Sequence, residues 1–308
     1  MTLQCAPSCQ TCNMIDFDTR CPYNATEPTI LNPGDLDKLF SRLTTEDYYV
    51  QKYQATIHSM PNNNNPTSAA ADTNNIPDGP WVVTLENFMT NEECDRLIQL
   101  GSNEGYEVSM DVGPKKFDGS FDGFTNNRRT STNAWCKDDC FNDTFVQSVL
   151  QKIENVTGVP DGNSEFLQLL RYEPGQFYKT HHDYIEHHST RQEGVRILTV
   201  SVCVLYYIPM LCFTSIYQSH TFLFVFQVFL YLNDVEEGGG TDFPTLGITV
   251  QPKRGRVLIW PSVFNDNPNK KDKRTEHQAL PVIKGIKYGA NAWLHQRDFK
   301  TVFERSCH

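Results

Sequence analysis

The sequence is poor in positive charge. Its 308 residues include 27 lysines and arginines against 37 aspartates and glutamates, which gives a formal net charge of −10. A surface that binds nucleic acid needs clustered basic residues, so this composition argues against a polyanion partner. The glycine run at residues 238–240 is no phosphate-binding loop, because no helical pattern follows it. The acidic surplus would suit a neutral or basic peptide, but ordinary solubility explains it equally well.

An apolar leader is missing as well. Residues 1–5 show neither the basic start nor the apolar run of a secretory signal peptide. The cysteines and glycosylation sequons nevertheless point to an oxidising compartment. Ten cysteines are present, four of them in the first 21 residues, and sequons occur at Asn24, Asn142 and Asn155. A zinc site is the alternative for the N-terminal cysteines, but no histidine accompanies them, so disulfides are favoured.

We therefore expect a protein of the secretory pathway, in the lumen of the endoplasmic reticulum or Golgi. The start codon would then lie downstream of the true one, and an upstream exon would encode an apolar leader or membrane anchor. A cytosolic protein is the alternative. In the secretory case we expect a glycan on Asn142 or Asn155 and oxidation of Cys136 and Cys140.

Composition and periodicity divide the chain into four regions. In order they are a cysteine-rich region (1–30), a helical segment (31–59), a linker rich in Asn, Pro, Ala and Thr (60–80), and one large domain (81–300). The helical segment is predicted from apolar residues at helical spacing, namely Leu36, Leu39, Phe40 and Leu43.

The large domain changes from helical to β patterns along its length. After a strand at 81–85, Thr90 and Glu93 form a capping box for a helix ending at Gly101. A second helix begins near Asn142, with one apolar face that contains Phe145, Val146, Val149, Leu150, Ile153 and Val156. Short β segments follow at 166–172, 194–200, 229–233, 248–252, 256–260 and 288–294. This order predicts a mainly β fold with flanking helices, a double-stranded β-helix (jelly roll) whose N-terminal helices buttress one sheet.

Two histidines and one carboxylate stand out as a candidate metal site. His181 and Asp183 are two residues apart, so in extended chain both side chains lie on one face while His182 points away. His277 would come from a distant strand. Such a set holds non-haem Fe(II) and leaves coordination positions open. His187 and His188 lie in a polar run that is typical of a solvated loop, so they are left out.

The segments around these residues resemble a known family. They read RYEPGQFYKTHHDY, FLYLNDVEEGGGTDFP and RTEHQALPVIKGIKYGANAW. In this order they resemble the prolyl 4-hydroxylase family of 2-oxoglutarate- and iron-dependent dioxygenases. The resemblance runs from about residue 81 to 299. It implies the jelly-roll fold, with Fe(II), 2-oxoglutarate, O₂ and L-ascorbate as cofactors and co-substrates.

The resemblance also assigns roles to individual residues. His181, Asp183 and His277 would hold the iron. Lys287 would anchor the C5 carboxylate of 2-oxoglutarate, with Tyr172 as a second donor. Independently, alternation in residues 286–288 turns Lys287 away from its apolar neighbours, and a lone ammonium inside a barrel requires an anion. The alternative is a surface lysine like Lys284.

Substrate contacts are implied for Arg129, in an Arg-Thr-Ser segment, and for Trp293, whose alternative role is core packing. The implied activity is hydroxylation of peptidyl proline in secretory-pathway polypeptides, coupled to oxidative decarboxylation of 2-oxoglutarate. Two alternatives stay open. One is a non-catalytic jelly-roll module that binds peptide or sugar, and the other is a hydroxylase of another side chain, such as lysine.

One segment interrupts the resemblance. Residues 200–227 contain no Asp, Glu, Lys or Arg, and their removal joins RILT directly to VFLYLND. A transmembrane helix and a genuine loop are two explanations. We favour a third, a retained intron, because residues 200–201 can be encoded by a splice donor and residues 221–227 by a pyrimidine tract ending in CAG. The working protein would then have 280 residues, 28 fewer than the 308 of the chain.

Overall fold

A computed structural model describes residues 17–62, 76–116, 121–199 and 227–307. Most of the predicted cysteine-rich region, linker residues 63–75 and residues 200–226 of the insertion lie outside the described residues. Within the described ranges, no helix combines the length and the apolar character needed to cross a membrane.

The two helices predicted in the large domain begin close to the predicted residues, whereas the first of them ends later than predicted. Their bounds are α1 (Phe17–Arg20), α2 (Asp35–Thr45), α3 (Asp47–Tyr53), α4 (Asn91–Glu104), α5 (Asp138–Phe141), α6 (Thr144–Thr157) and α7 (Lys300–Glu304). Helix α2 buries the four apolar residues that predicted it. It docks on the large domain because Phe40 stacks on Trp81 at 5.4 Å and the Trp81 indole N–H donates to Asp37 over 2.8 Å.

Two helix predictions need correction. The capping box of Thr90 and Glu93 is present, but α4 continues through Gly101 and ends before Gly105 at a φ of 86°. Gly101 is buried, and a Cβ added there would lie 2.3 Å from the Tyr106 hydroxyl. The glycine is therefore required by close packing and does not end the helix. Phe145 is predicted on the buried face of α6 but is 40% exposed, because it lies in the first turn, ahead of the buried residues that begin at Val146.

The chain is a mixed α/β protein built on a large antiparallel sheet. In spatial order this major sheet contains β1 (Ala55–Ser59), β2 (Val82–Leu85), β14 (Val257–Trp260), β10 (Gln227–Tyr231), β17 (Lys287–His295), β7 (Gln168–Tyr172), β6 (Thr132–Trp135) and β3 (Glu107–Val108). Strand β9 (Arg196–Thr199) also pairs with β17. Segment 31–59, predicted helical, therefore ends in an edge strand.

A smaller sheet and two two-stranded sheets complete the β structure of the described residues. The minor sheet has the order β13 (Ile248–Val250), β12 (Thr241–Phe243), β15 (His277–Ala279) and β8 (Tyr178–His181). The two-stranded sheets are β4 (Asp111–Lys115) with β5 (Phe121–Phe124), which are consecutive in the chain, and β11 (Glu237–Gly238) with β16 (Val282–Lys284), which are distant in the chain.

Both faces of the major sheet are buried, and side chains alternate between two cores. One core joins the helices to sheet residues such as Val83, Leu169 and Leu230. The other contains their neighbours Val82 and Leu170, together with side chains of the minor sheet. Because successive strand residues point to opposite faces, the helices cover one face and the minor sheet covers the other. The candidate site lies on the second side.

Candidate active site

The structure brings His181, Asp183 and His277 together. His181 ends β8 and His277 begins β15, and the two residues lie directly opposite each other in the antiparallel pair. Asp183 follows β8. One donor atom from each side chain lies within 4.8 Å of the others. The His181 Nε2 is 3.6 Å from Asp183 Oδ1, and the His277 Nε2 is 3.9 Å from Asp183 Oδ2.

Backbone carbonyls fix both imidazole rings. The Nδ1 of His181 lies 2.8 Å from the Lys179 carbonyl oxygen, and the Nδ1 of His277 lies 3.1 Å from that of Thr275. A carbonyl only accepts, so each Nδ1 carries the proton and each Nε2 presents its lone pair toward Asp183. Metal-binding histidines are commonly oriented through the second ring nitrogen in this way. The donor set therefore fits a divalent metal.

The pKa shifts of His181 and Asp183 agree with that geometry. Burial, together with the nearby His277, lowers the pKa of His181 to about 3, so its ring is neutral at physiological pH. Burial alone would raise the pKa of Asp183, but the facing imidazoles of His277 and His181 and the indole of Trp293 lower it to about 2. Two imidazoles and one carboxylate form the facial set typical of non-haem Fe(II).

Aromatic rings hold the set in place. Tyr178 stacks on His181 at 3.5 Å between ring centroids, and its hydroxyl donates to Asp111 over 3.0 Å. On the other side, Trp260 packs edge-on against His277 at 4.9 Å. These rings limit the rotation of both histidines and exclude water from part of their surroundings.

Lys287 is buried in the same cavity and lies directly opposite Tyr172 in the β17–β7 pair. Its Nζ donates to the Gly239 carbonyl over 2.7 Å and lies 5.1–5.6 Å from the ring centres of Tyr172, Phe229 and Tyr231. Burial lowers the pKa of Lys287 to about 7. No carboxylate of the described chain forms an ion pair with it, so an incoming anion would find a preformed partner.

Arg129 and Trp293 line this cavity too, which has a volume of about 260 Å³. The Arg129 guanidinium lies 4.7 Å above the Tyr178 ring and donates to Gln168 over 3.0 Å. Trp293 is 5% exposed and has the Arg196 guanidinium 4.1 Å from its ring centre. All seven residues singled out from the sequence therefore border one space.

Sequence reasoning missed a buried ionic cluster beside the cavity. The imidazole of His295 and the guanidinium of Arg196 converge on Glu165. His295 Nε2 is 2.9 Å from Glu165, and its Nδ1 is 2.9 Å from the Gly194 carbonyl oxygen. Burial opposes ionisation of Glu165, but Arg196 and His295 lower its pKa to about 2. One signal of this cluster was present in the sequence: Arg196 is a charged residue at the start of the otherwise apolar strand β9.

Comparison with known proteins places these observations in a family. No family model matches the chain. Probable prolyl 4-hydroxylase 8 of Arabidopsis thaliana is 30% identical over 241 residues, which cover 71% of this chain and 70% of that protein. Prolyl 4-hydroxylase 5 of the same plant is 29% identical over 242 residues, covering 72% and 70%.

An animal protein is similar over a smaller share of its own length. Prolyl 4-hydroxylase subunit alpha-2 of Gallus gallus is 28% identical over 224 residues, which are 71% of this chain and 35% of that subunit.

A solved viral collagen prolyl hydroxylase of Paramecium Bursaria Chlorella virus-1 gives a TM-score of 0.49 at 24% identity, covering 71% of this chain and 98% of that one. From its similarity to the two plant proteins, the chain belongs to the prolyl 4-hydroxylase family.

Proposed function

We propose that the protein is a 2-oxoglutarate- and Fe(II)-dependent dioxygenase that hydroxylates peptidyl proline in polypeptides of the secretory pathway. The reaction couples this hydroxylation to oxidative decarboxylation of 2-oxoglutarate to succinate and CO₂. One observation carries the proposal: the metal-binding set and the buried ammonium of Lys287 border the same cavity. In our proposal the major and minor sheets form the double-stranded β-helix that encloses this cavity.

Different side chains bind the metal and the co-substrate. His181, Asp183 and His277 hold the Fe(II), which when bound supplies the oxidising chemistry with O₂ and is kept reduced by L-ascorbate. The protonated Lys287 binds the C5 carboxylate of 2-oxoglutarate, and Tyr172 donates a second hydrogen bond. The apolar walls around Lys287 exclude water, which strengthens this ion pair relative to the same pair in solvent.

The polypeptide substrate enters the open part of the cavity. Arg129 contacts its backbone and Trp293 contacts the target ring. Arg129 has only neutral hydrogen-bond partners in the described chain, Gln168 and Ser131, so its guanidinium is available to peptide carbonyls. A proline-containing polypeptide fits a cavity that combines aromatic rings with a few fixed donors, and the net acidic charge does not favour nucleic acid.

Two disulfides support an oxidising compartment. Cys21 is bonded to Cys307, and Cys136 to Cys140. Disulfides persist in secreted and lumenal proteins and are rare in the cytosol. We therefore place the protein in the lumen of the endoplasmic reticulum or Golgi. Asn142 and Asn155 are both exposed, as a glycan would require.

A non-catalytic jelly-roll module is the competing function. A pure binder of peptide or sugar has no need of three converging metal ligands and a co-substrate anchor. Iron content after anaerobic loading with Fe(II) separates the two, because the module would retain no stoichiometric iron.

Peptide mass spectrometry tests the reaction. The protein is incubated with Fe(II), 2-oxoglutarate and ascorbate together with proline-rich peptides, collagen-like peptides and a matched lysine-containing peptide. We expect the mass gain of one oxygen on proline, with stoichiometric succinate. Oxygen gain on lysine alone would replace proline with the alternative side chain, and iron binding without turnover of any peptide would contradict the proposed reaction.

A further inference from the structure

A second cavity lies outside the candidate active site and shares no lining residue with it. It lies between the N-terminal segment 23–32 and the large domain, and its volume is about 530 Å³. Cavities of roughly 300–1,000 Å³ are typical of small-molecule sites, most of which have apolar walls. The walls of the second cavity are instead polar: beside the ring of Tyr23 they contain Glu27, Thr29, Asn32, Ser189, Asn269 and Arg297. Its ligand is therefore hydrophilic.

The N-terminal wall of the second cavity is fixed without any ligand. The disulfide between Cys21 and Cys307 ties the N-terminal segment to the other end of the domain. The Ile30 N–H donates to the Gln296 carbonyl oxygen over 2.9 Å, and the Leu31 N–H donates to Gln296 Oε1 over 3.0 Å. A preformed cavity loses little ordering entropy when a ligand binds.

Arg297 is the buried charge of the second cavity, with an exposure of 8%. Its Nε donates to the Glu27 carbonyl oxygen over 3.2 Å, and its guanidinium lies 5.4 Å from the ring centre of Tyr23. No carboxylate in the part of the chain that the structure describes forms an ion pair with Arg297. A guanidinium carries five N–H donors, so Arg297 has donors available for a ligand.

The charges of the lining favour a neutral ligand that both donates and accepts hydrogen bonds. The exposed carboxylate of Glu27 would repel an anion, and the guanidinium of Arg297 would repel a cation. Adjacent hydroxyl groups suit both residues, because each hydroxyl can donate to a carboxylate and accept from a guanidinium. The Asn269 side chain is exposed and forms no hydrogen bond within the described ranges, so its amide adds a further donor and acceptor.

The Tyr23 ring supplies the apolar contact that completes this set. It is 40% exposed and borders the second cavity. A sugar ring carries hydroxyl groups around its edge and C–H groups on its faces, so it can stack on an aromatic ring while its hydroxyls bind planar polar side chains. The lining therefore matches the chemistry of a neutral carbohydrate.

A position for a glycan lies next to the second cavity. Asn24 begins the sequon Asn24-Ala25-Thr26, and its chain neighbours Tyr23 and Ala25 line the second cavity. Asn24 itself borders a smaller cavity of about 240 Å³ that shares Glu27 with the second cavity. The Asn24 Oδ1 accepts from the Thr26 N–H over 3.0 Å and from the Thr26 hydroxyl over 2.8 Å, which leaves the exposed Nδ2 for attachment of a sugar.

We propose that the second cavity is a carbohydrate-binding site that takes a neutral sugar ring, stacked on Tyr23 and hydrogen-bonded to Arg297 and Asn269. The sugar comes from a glycan on Asn24 or from the glycan of another polypeptide, and both sources offer the same ring chemistry. Attachment to Asn24 forms a bond from Nδ2 to C1 of the sugar, releases the diphosphate of a lipid-linked donor and passes one amide proton to a base of the transferase. The Asn24 source rests on the proposed secretory compartment, whereas the binding site is independent of the proposed reaction.

The first test uses protein that carries no glycan. The chain, with and without residues 200–227, is made in an oxidising bacterial host, and binding of N,N′-diacetylchitobiose is measured by saturation-transfer NMR. Tyr23→Ala and Asn269→Ala change exposed side chains, so both variants should fold. Arg297→Lys keeps the charge but removes the planar fork of donors. Tyr48→Ala is the control, because Tyr48 is 60% exposed and borders neither cavity.

Loss of the Tyr23 ring should weaken binding of the disaccharide roughly two- to tenfold, the usual effect of one aromatic contact. Asn269→Ala and Arg297→Lys should have effects of similar size, because each removes hydrogen bonds to the sugar. Tyr48→Ala should bind like the wild type. Free proline, a zwitterion that could also match both charges, should not compete. Absence of binding to the wild type, equal binding by all four variants, or displacement by proline would overturn the proposal.

A second test distinguishes the two sources of sugar. The protein is secreted from a eukaryotic host behind an added signal peptide, and glycopeptide mass spectrometry identifies the occupied sequons. If the glycan of Asn24 fills the second cavity, added disaccharide should bind only to Asn24→Gln or after enzymatic removal of the glycan. Asn142→Gln and Asn155→Gln are the controls, because neither residue borders the second cavity. Equal binding before and after removal would assign the second cavity to the glycan of another polypeptide.

Turnover of 2-oxoglutarate by the same proteins separates this proposal from the proposed function. Tyr23→Ala should keep wild-type turnover, because the two cavities have no lining residue in common. Sugar binding by a protein without turnover would remove the proposed reaction alone. Normal turnover without sugar binding would remove the carbohydrate site alone.

Discussion

Thr199 and Val228 lie opposite neighbouring residues of one strand, although 28 residues separate them in the chain. Thr199 pairs with Trp293, and Val228 pairs with the preceding residue, Ala292. Strands β9 and β10 therefore both pair with β17, and together they have the register of a single continuous strand. This is the register expected for a chain in which Thr199 is bonded directly to Val228.

Deletion of residues 200–227 should accordingly preserve the pairing of both flanking strands. We expect the 280-residue form to be soluble and active. The 308-residue form should be insoluble or inactive, because 28 charge-free residues would add an apolar patch to the surface. Soluble yield, thermal unfolding and 2-oxoglutarate turnover of the two forms provide the measurement. Comparable activity of both forms, with transcripts that almost all retain the segment, would rule out a retained intron.

Loss of a metal ligand should abolish turnover of 2-oxoglutarate. His181→Ala and Asp183→Ala each remove one of three donors that converge within 4.8 Å. His58→Ala is the matched control, because His58 lies on the edge strand β1 and contacts Thr84 outside the cavity. Succinate release and iron content are measured for all three variants. Turnover at the wild-type rate in either ligand variant would remove these residues from the iron site.

Replacement of Lys287 should stabilise the protein while it weakens co-substrate binding. Burial lowers the pKa of Lys287 from 10.5 to about 7, so between these values the unfolded chain binds more protons than the folded one. The stability of the wild type then rises with pH from about 7 to 10.5 and is lowest below pH 7. Lys287→Met should raise the free energy of unfolding by roughly 1–3 kcal/mol at pH 7, with a smaller difference near pH 10.

Denaturant unfolding over this pH range tests the prediction, and calorimetry with 2-oxoglutarate measures the loss of binding. Lys284→Met is the control, since the Lys284 side chain is 69% exposed and pairs with Glu236 at the surface. A Lys287 variant with wild-type stability at every pH and wild-type affinity for 2-oxoglutarate would show that this lysine is not the anchor.

The disulfide between Cys21 and Cys307 should contribute strongly to stability. It closes a loop of 286 residues, and long loops gain most from closure in the chain-entropy model. We expect Cys21→Ser to lower the free energy of unfolding by about 2–5 kcal/mol. Unfolding is measured with and without reductant. Reductant should destabilise the wild type more than the variant, and equal sensitivity of the two proteins would contradict the assignment.

The sequence predicted best those features that leave a local or a familiar pattern. The apolar periodicity of α2 and the capping box of α4 each involve residues only a few positions apart in the chain, so both could be recognised from the sequence. His181 and His277 are distant in the chain, and their convergence was inferred from the resemblance, not from spacing. Strands β8 and β15, which position both histidines, are short and polar, so they show no alternation.

Contacts that depend only on strand neighbours could not be predicted. Trp135 reaches the cavity because β6 pairs with β7, and neither the pairing nor its register is visible in the residues themselves. Gly101 was misread for a related reason. A glycine near the end of a helical pattern usually ends the helix, and only the packing of Tyr106 shows that a small residue is needed there.

Strand β17 carries cavity-lining and core residues in alternation. Lys287, Asn291 and Trp293 border the cavity, whereas Ala290, Ala292 and Leu294 belong to the core under the helices. Insertion or loss of one residue within this strand would exchange the two sets downstream of the change. Alanine and leucine would then face the cavity, and polar side chains would face the helices. Evolution can therefore alter this strand by substitution, but a change of length by one residue removes fold and activity in a single step.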